Sequence, residues 1–193
     1  MAVKRGDLEK VKELLEAKGG ATAKTKGRFS DLLRTAAMHG HKEIAALLIE
    51  KGAVVNSKGR SGRTVLHCAV RHGRADVVKL LLDHKAKVHT RLPKKQTIAH
   101  LAAMGGSREV MEIFLSKGLS PSKADADKMT PLHYAAQNGH VEVIELLLAY
   151  RSVDVNVENA IGLTAVDLAK ANYKTEAAEF LRKHGGKAKE KGR

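Results

Sequence analysis

A four-residue slot organises this chain. Thr130-Pro131-Leu132-His133 opens the stretch TPLHYAAQNGHVEVIELLLA, which reads as two short helices back to back. Pro131 suits a first helical position, where its missing N–H has no partner to lose. Gly139 ends that helix as a residue free to take positive φ, and Val141, Ile144, Leu147 and Leu148 then give the second helix one apolar stripe. Neither helix is long enough to be stable alone in water, so each needs neighbours stacked against it. Those neighbours have the same pattern. Asp31-Leu32-Leu33-Arg34, Thr64-Val65-Leu66-His67 and Thr97-Ile98-Ala99-His100 precede it at steps of 33 residues, and Thr164-Ala165-Val166-Asp167 follows after 34. Ala36, Ala69, Ala102, Ala135 and Ala169 keep step, as do Gly40, Gly73, Gly106 and Gly139.

A period of this length carrying T-P-L-H-x-A resembles the ankyrin repeat family. The resemblance implies an all-α fold: a solenoid of stacked helix-turn-helix units with protruding β-turn fingers. Such an array has no single central core, since each repeat buries its face against the next. Leu66, Ala69, Val78, Leu81, Leu132, Ala135, Ile144 and Leu147 are expected to be buried. The composition suits thin layers, because aromatics are only 3% of residues and Trp is absent.

The chain divides accordingly. Residues 1–27 read as an N-terminal half-repeat cap, whose first helix is nearly missing, followed by a polar, glycine-rich loop from Gly19 to Gly27. Repeats follow at 28–57, 58–90, 91–124 and 125–158, a capping repeat at 159–185, and a basic, unstructured tail at 186–193. In the first full repeat, Asp31 and Arg34 replace Thr and His, which removes the motif's usual bonding pair. Lys85 stands where a glycine would close a helix, so strain or a reshaped turn is expected. Pro93 should stiffen its finger. An extra residue lies within Tyr150 to Val153, and Lys170 replaces an alanine in the last repeat, as suits a face with nothing stacked on it.

Several chemistries find no support. His67, His100 and His133 recur at repeat spacing and so form a ladder, not the cluster of three or four ligands a metal needs. The resemblance implies that each bridges the Thr of its own turn and a nearby carbonyl. Cys68 directly follows His67, but neighbours on a helix point about 100° apart and no third group orients the pair; packing is the expected role. No phosphate loop, HExxH or GxSxG motif occurs. The chain is therefore not expected to be an enzyme or to hold a cofactor. No apolar run approaches the roughly 18 residues of a spanning helix, and Lys4, Arg5 and Asp7 interrupt any leader-like stretch near Met1. With one cysteine, no internal disulfide can form, and an intracellular setting, cytoplasmic or nuclear, is expected.

Net charge is +14 and unevenly spread. Residues 57–97 hold 11 basic and 2 acidic groups (+9), whereas residues 98–180 hold 7 and 11 (−4). The resemblance implies that partners lie against the finger tips before each Thr and the exposed ends of the first helices. Here those are Arg28 and Ser30; Met38 and His39; Arg60, Ser61 and Arg63; Arg71 and His72; Arg91, Lys94 and Gln96; Met104; Asp127 and Met129; and Gln137 and Asn138. Arg60, Arg63, Arg71, Arg91 and Lys94 are expected to share one basic groove, bounded by Asp125 and Asp127. These positions point to a monomeric interaction module, an adaptor, scaffold or inhibitor, that holds an acidic protein segment. Nucleic acid, including a place in a ribonucleoprotein, is the alternative: backbone phosphates need only Lys and Arg, although the groove offers no aromatic platforms for base stacking. A designed or rebuilt array without a natural partner is a third reading, against which the irregular repeat at 28–57 and Lys85 both speak.

Overall fold

The computed structural model describes residues 1–16, 23–90 and 92–189, and of residues 23–26 only the backbone. Its helices begin where the Thr slot recurs. The backbone N–H groups of Thr64, Thr97 and Thr130 donate to the Nδ1 atoms of His67, His100 and His133 at 3.0, 2.9 and 3.1 Å, and that of Thr164 donates to Asp167 Oδ2 at 2.9 Å. In each pair the backbone N–H of the His or Asp bonds back to the Thr side chain, completing a capping box. Two N–H groups that a helix start leaves unpartnered are thereby satisfied without water, which allows these turns to be buried.

Two compact units result, Met1–Val88 and His89–Arg193. The first holds α1 (Ala2–Arg5), α2 (Leu8–Glu16), α3 (Ala23–His39), α4 (Lys42–Glu50), α5 (Val65–Arg71) and α6 (Ala75–Asp83). Helix α3 packs between α1 and α5, and α4 between α2 and α6, giving two layers of helices. The second holds a single 3₁₀ turn (Pro93–Lys95), then α7 (Ile98–Gly105), α8 (Arg108–Ser116), α9 (Pro131–Asn138), α10 (Val141–Leu148), α11 (Ala165–Ala171) and α12 (Thr175–Lys183). There α9 packs between α7 and α11, and α10 between α8 and α12. Among the described residues there is no strand, only an isolated bridge between Lys58 and Thr64. All eight residues expected in the core are at most 1% exposed.

A second inter-repeat ladder runs beside the histidines. At three places the residue after a helix-closing glycine, His41, Arg74 or His140, precedes the next helix and reaches back over the glycine of the preceding repeat. His41 Nε2 meets Lys4 O at 3.2 Å, Arg74 Nε donates to Met38 O at 3.1 Å, and His140 Nε2 meets Met104 O at 3.2 Å. A Cβ on Gly6, Gly40 or Gly106 would lie 2.7, 3.0 or 2.5 Å from these side chains. Glycine is thus required twice over, for its positive φ and for the side chain lying across it.

Two sequence expectations about the course of the chain need correction. The stretch expected to be a loop is helical from Ala23 onward, while Gly19 to Thr22 fall outside the described residues. Asp31 lies inside α3, and with no Thr–His pair to fix a start there the helix continues toward its N-terminus. The stretch beginning at Gly185 is not free: Asn156 Nδ2 donates to Gly185 O at 3.0 Å, Lys187 N donates to Asn156 Oδ1 at 2.7 Å, and Thr164 Oγ1 donates to Lys187 O at 2.8 Å. Lys189 N donates to Asp167, whose carboxyl burial tends to raise but the Thr164 and Lys189 N–H donors hold below its usual range. Asn56 grips Lys85 O and Lys87 N in the same way, so residues 185–189 follow the path of an inter-repeat connection. Residues 190–193 lie outside the described residues. At Lys85 the expected strain is present, as φ 60, and the turn keeps its usual bonds. Lys85 N and Ala86 N bond to Leu82 O and Leu81 O, as Gly52 N and Ala53 N bond to Ile49 O and Leu48 O.

Candidate partner-binding surface

In the first unit the finger before α5 is a closed turn. Gly59 N donates to Arg63 O and Gly62 N to Gly59 O, both at 2.9 Å, and Gly62 takes φ 72. Arg60 and Ser61 occupy the apex and are exposed; Arg63 is partly buried. Arg34 pins the base of the turn. Its Nη1 donates to Arg63 O at 3.1 Å, its side chain is 16% exposed, and a Cβ on Gly59 would lie 3.0 Å from its guanidinium. The same role falls to histidine elsewhere: His100 Nε2 meets Met129 O at 3.1 Å and His133 Nε2 meets Leu163 O at 3.2 Å. The loss of inter-repeat bonding expected at Asp31 and Arg34 therefore does not occur. A longer side chain makes the bond from the same position.

The charge of this finger reaches the core beneath it. His67 is fully buried and is pushed down to about 4, by burial first and then by Arg63 and Lys58. Its Nδ1 accepts the Thr64 N–H, so the neutral ring protonated at Nε2 is the form the network requires. Burial pushes the half-buried Cys68 thiol up despite Arg34 and Arg63 beside it, which leaves it a poor nucleophile. At the helix ends His39 is exposed, bonded to Thr35 O at 2.9 Å and stacked on His41. His72 is exposed and bonded to Cys68 O at 2.8 Å, and Arg71 and Met38 are partly buried. Arg28 is exposed at the rim of an apolar cleft of about 150 Å³ shared with Val3, Val11, Leu15 and Phe29. Ser30, expected at a finger tip, is 3% exposed and accepts from Val54 N at 2.9 Å; its place inside α3 makes it a packing residue.

The second unit carries different electrostatics. Lys94 and Lys95 take φ 56 and 57 in the turn after Pro93. The Lys94 ammonium lies 2.7 Å from Asp127 Oδ2, and adjacent fingers join through Ala126 N to Lys94 O and Ala160 N to Asp127 O. Asp127 is therefore not a boundary beyond the basic section but the direct partner of its lysine. Asp125 is 7% exposed and shapes its own finger, accepting from Asp127 N at 2.9 Å and Met129 N at 3.0 Å. Its other oxygen accepts the Tyr134 hydroxyl at 2.7 Å, and that hydroxyl accepts from Gln96 Nε2 at 2.9 Å. Burial, followed by the bond to Asp125, pushes the Tyr134 phenol up to about 12. Neither Tyr134 nor this use of Asp125 is legible in the sequence: tyrosine at a first helix's outer face looks like filler unless the facing Gln96 is known.

The remaining positions fall into place around Tyr134. Asn138 Nδ2 donates to Tyr134 O at 2.7 Å, and Gln137 and Met104 are partly exposed. Met129 is corrected: it is 8% exposed, its carbonyl accepts from His100, and its sulfur accepts from Asn159 Nδ2 at 3.4 Å, so it packs the finger's underside. Arg91 lies outside the described residues. Of the five basic residues expected in one groove, Arg60, Arg63 and Arg71 belong to the first unit, and Lys94, in the second, is paired.

Among the described residues no group of three or more His, Cys, Asp and Glu could hold a metal ion, and no helix is long and apolar enough to cross a membrane. Residues 1–91 and 86–159 match the family profile described as ankyrin repeats, three copies. No curated protein matches the chain.

Proposed function

The chain belongs to the ankyrin repeat family, whose repeats are generally protein-interaction modules and typically non-catalytic, and from that premise we propose that it binds an acidic segment of a protein partner through the first unit. One observation carries the reading. The finger Lys58 to Arg63 presents three cations on a closed turn whose apex is exposed, with no carboxylate in the turn. Beyond it, residues 64–88 add Arg71, Arg74, Lys79, Lys85 and Lys87 against Asp76 and Asp83. A rigid turn presents its guanidinium groups with little ordering left to do on binding, which favours bidentate pairing with carboxylates. The second unit has the Lys94–Asp127 pair at the corresponding place and contributes less charge selectivity.

A nucleic-acid reading draws on a different feature, the exposed Lys187 and Lys189 of the docked C-terminal strap, whose hydrogen bonds to the repeat come from its backbone while the Lys189 side chain lies over Gly162. One experiment separates the two. Affinities for a glutamate-rich peptide and for a duplex are measured at several salt concentrations for the native chain, for Arg60→Glu with Arg63→Glu, and for Lys187→Glu with Lys189→Glu. Peptide affinity should fall about tenfold or more with the finger pair, as two attractive contacts become repulsive, and be unmoved by the strap pair. Equal losses for duplex with both pairs, and none for peptide, would reverse the assignment.

A further inference from the structure

We propose that Ser61 is a phosphate-acceptor site for a serine/threonine kinase that selects basic segments, and that its phosphorylation switches off the cationic finger; the second clause rests on the acidic-partner reading above. The sequence KGRSGRT around it offers two hydroxyls next to arginines, Ser61 and Thr64, with Ser57 just before them. Sequence cannot choose among the three. The structure does. Thr64 is 2% exposed, starts α5 and shares its hydroxyl with the His67 ring at 3.2 Å, and the Ser57 hydroxyl is buried. Ser61 stands exposed at the apex, and its hydroxyl has no hydrogen bond among the described residues.

The surroundings fit that chemistry. Lys58 lies three residues before the acceptor, Arg60 one before and Arg63 two after, a pattern complementary to an active site lined by carboxylates. The turn is closed by Gly59 N to Arg63 O, Gly62 N to Gly59 O and the Lys58–Thr64 bridge and is pinned at its base by Arg34, so the apex hydroxyl stands clear of the helices and is presented to an enzyme as the turn holds it. In the step itself the γ-phosphoryl group of ATP passes to Ser61 Oγ. A new P–O bond forms, the bond from the γ-phosphorus to the oxygen bridging it to ADP breaks, ADP leaves, and the hydroxyl proton is released. The product carries about −1.5 to −2 charge at neutral pH among three cations, where Arg60 and Arg63 can pair with it. The finger then has little net charge left for an acidic segment.

The test uses the full folded chain, a purified basic-directed kinase and ATP. Intact mass and peptide mapping should show one phosphate at Ser61 and none at Thr64 or Ser57, and Ser61→Ala should take up none at this segment. Binding of a glutamate-rich peptide should weaken about 3- to 30-fold on phosphorylation, the size of two surface ion pairs, with the gap narrowing as salt rises. If the folded chain stays unmodified while the denatured chain accepts phosphate at Ser61, the acceptor assignment is overturned. Unchanged peptide affinity after full phosphorylation overturns the switch. Should the unmodified chain fail to bind the peptide at all, the acidic-partner reading and the switch resting on it both fall. The acceptor site is then judged separately by ³¹P titration. Pairing within the finger should lower the phosphate's second ionisation below its usual pH of about 6, and an unshifted value would count against it.

Discussion

Arg34 and His133 stand at one place in the repeat register and do one job with different chemistry. His133 spans its own Thr130 and Leu163 O; Arg34 gives up the Thr contact, keeps the carbonyl of Arg63, and stays shielded from water. Both carbonyls keep a second donor, Gly59 N on Arg63 O and Asn159 N on Leu163 O, but each truncation removes a shielded hydrogen bond and His133→Ala also strands the Thr130 N–H, so Arg34→Ala should destabilise by about 0.5–1.5 kcal/mol and His133→Ala by about 1–3 kcal/mol. Denaturant melts would show it, and a loss below about 0.5 kcal/mol at Arg34 would return it to the class of ordinary surface residues. His67 makes the pH prediction. Its folded pKa, about 4, lies below the 6.5 of an unfolded histidine, so between these values the unfolded chain binds the extra proton. Stability from this residue is complete above about pH 6.5 and is lost as pH falls toward 4. Ring NMR should find His67 still neutral at pH 5, and a midpoint near 6.5 would mean that the core beneath the finger is wet.

Among elements, the turns between helices are where the sequence says less than it promises. Gly106 and Gly62 share a left-handed φ, 74 and 72, yet a Cβ on Gly106 would meet His140 at 2.5 Å and one on Gly62 would meet nothing within 4 Å. Gly62→Ala should cost only the left-handed conformation, about 1–2 kcal/mol. Gly106→Ala should cost visibly more, because the His140 bridge to Met104 O must also give way. Equal losses in urea unfolding would show that the second ladder contributes nothing. The lysines at 85, 94, 95 and 128 and Tyr173 take positive φ without glycine's freedom. At Lys85 the reason is visible: its carbonyl is gripped by Asn56, which fixes the connection whatever residue occupies it.

At the scale of the whole chain, the docked strap changes what a truncation means. Deleting residues 186–193 removes the donors and acceptors that Asn156, Thr164 and Asp167 use and uncovers Val166, against which Gly186 packs. The deletion should therefore lower the unfolding midpoint of the second unit, while Lys187→Glu should leave it within about 0.5 kcal/mol, since Lys187 docks through its backbone and its side chain is exposed. Calorimetry decides it; an unshifted midpoint on deletion would return the strap to a free tail. What the sequence determined alone was everything that repeats. The 33-residue period, the capping pairs, the alanines and the glycines are local chemistry copied down the chain, and each copy supports the same reading of helix, turn and buried face. Tertiary structure decided what depends on a residue some 30 positions away: that Arg34 replaces a histidine, that Met129 and Ser30 turn inward, that Lys94 is neutralised by Asp127, that Gln96 and Asp125 hold Tyr134 between them, and that the strap is docked. In a stacked array a side chain's surroundings come from the repeats on either side, so its role follows from which neighbours face it, and no pattern within one repeat records that.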